Sequence, residues 1–214
     1  LANKARELSK KNILIAGSLP PQNGTYVADE RDISNIKKDF YEQAKIIQPY
    51  VDFFYLDVMS SAKEIEAACE ITEKMNMPVL VGLHLKKNGK LVSGETPSEI
   101  VKKYKTNNWL GLIGACISLE IINDSCTEMK NSKIPFGFKA NLWKVDEPTP
   151  VNSFNKAEHN EIGPNPNDVL GCRKEITPKI FCDFAKKIKD KGATILGGCC
   201  NINPSHIKAL ASLK

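Results

Sequence analysis

Short apolar runs alternate with longer amphipathic stretches along the whole chain, and that alternation limits the fold more than any single residue does. The runs Asn12-Ile-Leu-Ile-Ala-Gly17, Tyr50-Val-Asp-Phe-Phe-Tyr-Leu56, Pro78-Val-Leu-Val-Gly-Leu-His84, Leu110-Gly-Leu-Ile-Gly-Ala115, Ile134-Pro-Phe-Gly-Phe-Lys-Ala140 and Ala193-Thr-Ile-Leu196 read as six strands. They are nearly all apolar, as strands buried on both faces are. Between them, residues 33–48, 62–76, a stretch opening near Pro97, 119–130 and 178–191 read as helices, and a last helix opens at Pro204. Both prolines suit a first helical turn, with Thr96 and Asn203 before them as caps. Strands alternating with helices predict a parallel sheet covered by helices. Each unit takes about 30 residues, the size required by an α/β (β/α)8 TIM-type barrel of roughly 250 residues. Only six units are visible in 214 residues, so the expectation is one barrel domain over 1–214 whose first two units are missing. An open doubly wound sheet is the rival arrangement.

The chain is 42% hydrophobic and 26% charged, which excludes a disordered segment. Its net charge of +5 comes from 30 basic and 25 acidic residues spread throughout, with no basic tract interleaved with aromatics, so no nucleic-acid partner is expected. The apolar runs are too short to cross a bilayer, and the charged opening Leu1-Ala-Asn-Lys-Ala-Arg-Glu-Leu8 does not read as a signal peptide. Seven scattered cysteines make an odd count without a disulfide framework, which points to free thiols in a reducing cytoplasm. The chain opens on Leu1 rather than Met, which again suggests a missing upstream part.

The ends of the strands gather the candidate site. They carry Gly17 and Ser18, Asp57, His84, Cys116, Asn141, and the adjacent pair Cys199 and Cys200. Three thiolates suit zinc, which favours sulfur and a tetrahedron, and three protein ligands leave one position open for catalysis. Gly197 and Gly198 would give the backbone freedom for two neighbouring ligands. A substrate thiol in the fourth position would be held as its anion, a nucleophile at neutral pH. From spacing alone a vicinal disulfide or an inert core pair remains open, and Cys69, Cys126, Cys172 and Cys182 read as small core hydrophobes. The Pro- and Asn-rich connection over 141–176 reads equally as a substrate lid or as a surface insertion.

The segment Gly197-Gly-Cys-Cys-Asn-Ile-Asn-Pro-Ser-His-Ile207 closely resembles the terminal zinc motif of the homocysteine S-methyltransferases, G-G-C-C followed by P-x-H-I. Ala16-Gly-Ser-Leu-Pro-Pro21, continuing to Gly24-Thr-Tyr-Val-Ala-Asp29, is similar to that family's G-S-x-x-P segment with one residue inserted, Leu91-Val-Ser-Gly-Glu-Thr96 to its L-x-S-G-E-T turn, Gly114-Ala-Cys116 to its G-x-N-C, and Ala140-Asn141 to its P-N. The resemblance implies a (β/α)8 barrel, a Zn2+ ion held by Cys116, Cys199 and Cys200, and methyl transfer to the sulfur of homocysteine. It also implies small-molecule partners only: homocysteine and a donor, among S-methylmethionine, S-adenosylmethionine, betaine or a methylated folate. A sulfonium donor is favoured, because the leaving group departs neutral and no general acid is visible. Asp57 is expected to meet the substrate ammonium, with Ser18 and Asn141 as further substrate contacts, although Ser18 reads more readily as a turn residue.

Three departures from the family pattern stand out. No D-G-G-x-G-T stretch is present, Asp57-Val58 replaces Glu-Thr, and Ala115 replaces the Asn before the first zinc cysteine. They leave open a non-catalytic zinc-binding or regulatory relative. A dithiol redox protein using Cys199 and Cys200 is a weaker alternative, since no C-x-x-C is present. His84 reads as a core or loop histidine, His206 as a helix-end residue, Trp143 as a candidate substrate contact and Trp109 as structural.

Overall fold

The computed structural model describes residues 1–147 and 166–213. After a surface helix α1 (Ala2–Ser9), the strands are β1 (Ala16–Leu19), β2 (Phe53–Met59), β3 (Val79–Leu83), β4 (Trp109–Ile117), β5 (Phe136–Ala140) and β6 (Ile195–Gly198). The helices between and after them are α2 (Ile33–Ile47), α3 (Ala62–Lys74), α4 (Pro97–Tyr104), α5 (Leu119–Asn131), the short α6 (Pro166–Leu170), α7 (Pro178–Asp190) and α8 (Pro204–Leu210). All strand pairs are parallel and the spatial order is the chain order, β1-β2-β3-β4-β5-β6. A doubly wound sheet reverses its order at a switch point. The sequential order excludes that arrangement.

The sheet curls into a half-barrel. Lys139 of β5 and Asp57 of β2 are separated by three strand spacings, roughly 14 Å in a flat sheet, yet their side chains meet at 2.7 Å on the concave face. The convex face is the main core. Leu19, Phe54, Leu56, Val81, Leu112 and Phe138 of the strands pack there against Ile36, Phe40, Ile65, Ile122 and Phe181 of the helices. The concave face carries a second, smaller cluster built on Tyr55, Ile113, Ala115 and Trp143, with Phe53, Leu80 and Ile195 only partly covered. No helix among the described residues is long and apolar enough to cross a membrane.

Local sequence explains the helix starts. Asp32, Ser61, Thr96, Ser118, Thr177 and Asn203 each accept a hydrogen bond from a backbone N–H of the first turn they precede. Thr96 forms a full capping box with Glu99, as Asn203 does with His206. The helix expectations therefore match closely. The strand expectations run early: β1 begins at Ala16 rather than Asn12, because Ile13 and Leu14 are exposed, and β2 begins at Phe53 rather than Tyr50, which lies in a short 3-10 turn. Ser18, Asp57 and Cys116 accordingly sit inside strands rather than beyond them. Cys69 and Cys126 are buried as expected, whereas Cys172 and Cys182 are half-exposed, the latter donating to the Ala209 carbonyl at 3.3 Å. Within the 141–176 connection, residues 148–165 lie outside the described residues, and with them half of the stretch that reads as a lid or a surface insertion.

Candidate metal centre

Strict alternation along β4 would hide Cys116. Ala115 points to the concave face, so its neighbour would point to the convex core. The pairing of β4 with β5 slips between Ala115 and Ile117, and Cys116 there has a left-handed backbone, φ 53°. This bulge re-aims the thiol inward, which is the use such irregularities commonly serve near sites. Asn141 fixes the result. Its Nδ2 donates to the Cys116 carbonyl at 2.8 Å and reaches the sulfur at 3.8 Å, while its Oδ1 accepts from the Trp143 N–H at 3.2 Å.

Cys199 and Cys200 follow β6 directly. The Cys199 N–H donates to the Ala140 carbonyl at 2.7 Å, and the Cys200 carbonyl accepts from Leu142 at 3.0 Å, so the end of β5 and the residues just after it hold both. Neither Gly197 nor Gly198 has a left-handed backbone; the sharp turn falls at Asn201, φ 63°. Gly198 contributes space instead of freedom: a Cβ there would lie 2.3 Å from Ile202.

The three sulfurs converge. Cys116 Sγ lies 3.9 Å from Cys200 Sγ, Cys199 Sγ lies 3.7 Å from Cys200 Sγ, and all three are within 4.8 Å of one another. Tetrahedral zinc with bonds of about 2.3 Å sets its sulfurs about 3.8 Å apart, so the donor set fits that ion in type, number and spacing. The thiols already share charge unequally. Hydrogen bonds from Cys116 and Cys200 hold Cys199 far below the ordinary thiol range, with Lys139 adding to the effect. Hydrogen bonding to Cys199 and Cys200, and then burial, pushes Cys116 far up.

An aromatic wall stands beside Cys116. The Tyr26 hydroxyl is 3.7 Å from its sulfur, and the Tyr26 ring lies 4.7 Å from the His84 ring and 6.2 Å, edge-on, from Trp143. Trp143 donates its indole N–H to Asn167 at 3.0 Å. Burial and the nearby Cys116 raise the Tyr26 phenol, which keeps its proton. Burial lowers His84 to about 4, so its ring is neutral, and its Nδ1 has no partner among the described residues. His206 plays the expected helix-end part, with Nδ1 2.9 Å from Asn203 Oδ1 and Nε2 3.0 Å from the Ile176 carbonyl. Trp109 is buried at the start of β4.

Asp57 faces the same concave space and is not alone there. Lys139 Nζ donates to both of its carboxylate oxygens, at 2.7 and 2.8 Å, and lies 4.9 Å from the centre of the Tyr55 ring. Ser18 is exposed on the edge strand, and among the described residues its hydroxyl touches neither Asp57 nor the cysteines; its carbonyl accepts from Gln43 at 3.2 Å. Lys139 and Tyr26 escaped the sequence reading. The lysine did leave a signal, as the one charge in the apolar strand Phe136–Ala140. Tyr26 sits in an irregular loop, inside the Gly24-Thr-Tyr-Val-Ala-Asp29 stretch that continues the family-like segment, where its type alone names no role.

Comparison with known proteins agrees with this architecture. Three solved structures of the homocysteine methyltransferase MmuM from Escherichia coli superpose on the whole of this chain: the apo form (TM-score 0.72, 18% identity, 70% of that chain covered), the metallated form (0.74, 18%, 67%) and the oxidized form (0.70, 19%, 68%). At that identity the likeness establishes the fold. Among curated proteins, none is similar enough to count as a match. The family model described as homocysteine S-methyltransferase matches residues 1–213, and so nearly every residue of this chain is accounted for by one family: the chain belongs to the homocysteine S-methyltransferases, enzymes that methylate the thiol of homocysteine.

Proposed function

We propose that this chain transfers a methyl group from a sulfonium donor, S-methylmethionine or S-adenosylmethionine, to homocysteine at a zinc site formed by Cys116, Cys199 and Cys200. The observation that carries the reading is the spacing of the three sulfurs, 3.7 and 3.9 Å for the two closest pairs. The ion would supply the Lewis acidity that makes an incoming thiol an anion near neutral pH. The remaining work falls to the chain. Asn141 and the β4 bulge hold Cys116 in place, and Lys139 offsets negative charge at Cys199. Asp57 receives the substrate ammonium. The homocysteine sulfur attacks the methyl carbon in line, and the donor's carbon–sulfur bond breaks with its electron pair going to the departing neutral thioether.

The wall beside the sulfurs supports the donor assignment. A folate donor requires a proton for its leaving nitrogen, and neither flanking acid suits that task. His84 is neutral, and Tyr26 holds its proton too tightly. A sulfonium donor requires no acid. Free thiols at every cysteine agree with a reducing cytoplasm.

The test is metal content and turnover of the purified protein. One zinc per chain and methionine formed from homocysteine with a sulfonium donor are expected. Cys200→Ser should lower zinc content and reduce turnover at least about 100-fold, since loss of one ligand opens the tetrahedron. A chain that takes up zinc yet forms no methionine with any donor would favour the second reading, a metal-binding relative without turnover. The occupation of Asp57 by Lys139 is what recommends that reading.

A further inference from the structure

On the concave face Lys139 and Asp57 form an opposed pair of charges, each end of which the reading above uses singly. Lys139 and Asp57 are each about one-fifth exposed, so the pair is neither buried away nor freely solvated. Tyr55 floors it, and small residues surround it. A Cβ on Gly82 would come within 2.9 Å of the Ala115 Cβ and 2.7 Å of the Tyr55 hydroxyl, and Gly197 bears no side chain beside Lys139. A cavity of about 230 Å³, lined by Tyr55, Ile113, Lys139, Ile195 and Gly197, opens alongside. Burial opposes the lysine's charge, but Cys199 and Asp57 outweigh it and keep the ammonium charged. The lysine end of the pair is thus within electrostatic reach of Cys199 and Cys116.

An ammonium has three donors and a carboxylate about four acceptor positions. Two of the lysine's donors go to Asp57, at 2.7 and 2.8 Å, which leaves Lys139, itself in the cavity wall, one donor and leaves Asp57 unused acceptor positions. A free α-amino acid carries the mirror image of this pair on one carbon. Resting on the homocysteine reading above, we propose that Lys139 and Asp57 together read the zwitterion of the acceptor: Lys139 takes its α-carboxylate and Asp57 its α-ammonium. Lys139 is then a specificity-determining residue that selects a thiol amino acid over a simple thiol. The four charges alternate in sign, so binding does not require the resident pair to break.

Cobalt-substituted protein tests this by binding rather than by turnover, through the change in cobalt–thiolate absorbance as a thiol enters. Three thiols serve as probes: homocysteine, 3-mercaptopropylamine, which lacks the carboxylate, and 4-mercaptobutanoate, which lacks the ammonium. The unaltered chain should bind homocysteine at least about tenfold more tightly than either, the value of one charge-assisted hydrogen bond. Lys139→Gln should weaken homocysteine by on the order of tenfold and leave 3-mercaptopropylamine unchanged or tighter, while Lys139→Arg restores the preference. Equal weakening of both thiols would assign Lys139 a purely structural part and overturn the proposal. Equal affinity of the unaltered chain for homocysteine and 3-mercaptopropylamine would overturn it without any variant. Failure of the metal reading shows differently, as absence of the cobalt–thiolate band, and rejects both.

Discussion

Glu64 shows how one buried group sets a pH dependence far from the sulfurs. It lies in the first turn of α3 with no exposed surface, where Oε2 accepts from the Ser61 hydroxyl at 2.7 Å and Oε1 has no partner among the described residues. Burial raises its pKa from 4.5 to about 7. Below pH 4.5 both folded and unfolded chains carry the proton and nothing is lost. Between 4.5 and 7 the unfolded chain ionises first, so stability falls as pH rises, and above 7 the loss is complete. The full effect is about 3 kcal/mol at most. Glu64→Gln removes the ionisation and keeps an acceptor for Ser61. Its gain over the unaltered chain in urea unfolding should be about 2–3 kcal/mol at pH 8 and vanish at pH 4.5. A gain equal at both values would show that packing, not ionisation, accounts for it. His84 runs the other way, since its lowered pKa makes it lose stability as pH falls from 6.5 toward 4, and the two groups oppose each other in the mildly acidic range.

Among the elements, β5 and β6 carry the tightest constraint. A Cβ on Gly137 would sit 1.7 Å from the Ile195 carbonyl oxygen, whereas on Gly197 the nearest atom is 3.5 Å away. Gly137→Ala must therefore drive β6 away from β5, and with it the hydrogen bonds from Cys199 to Ala140 and from Leu142 to Cys200. It should cost about 3 kcal/mol or more in stability and lower zinc content. Gly197→Ala should leave thermal unfolding within a few degrees of the original, as scanning calorimetry would report. These elements also mark the limit of legibility in the sequence. The strand–helix alternation, the caps Thr96 and Asn203, and the three sulfurs at one rim were readable, because apolar period, N-cap chemistry and a G-G-C-C segment are local signals. The bulges were not. Val58 and Cys116 both take left-handed backbones where pairing slips, at 61° and 53°, and a β-branched residue and a cysteine announce no such turn. Nor was the Lys139–Asp57 pair, which exists only because the sheet curls and brings β2 opposite β5. Asn141, expected at the substrate, has its amide engaged with Cys116 and Trp143; the residue type was visible and its partners were not.

Across the whole molecule, the two faces of the sheet divide stability from chemistry. The convex face is sealed by helices and holds the large, fully buried side chains, among them Phe54, Phe138 and Phe181. The concave face keeps polar and ionic groups, thiols and a cavity, and its apolar members Phe53, Leu80 and Ile195 stay partly open. Adjacent residues of one type on β2 make the division measurable. Phe54 has no exposed surface, while Phe53 faces the concave side and is only partly covered. Phe54→Ala removes a whole ring from a closed core and should cost about 3–5 kcal/mol. Phe53→Ala gives up a contact already shared with solvent and should cost about 1–2 kcal/mol, in proportion to the smaller area it buries. Urea unfolding of the two variants in parallel decides the matter. If both cost the same, the concave face is as fully packed as the convex one, and the space beside Lys139 and the sulfurs is closed to a substrate. If they differ as stated, the interior of the half-barrel contributes little to holding the chain folded and is open to be shaped by what binds there.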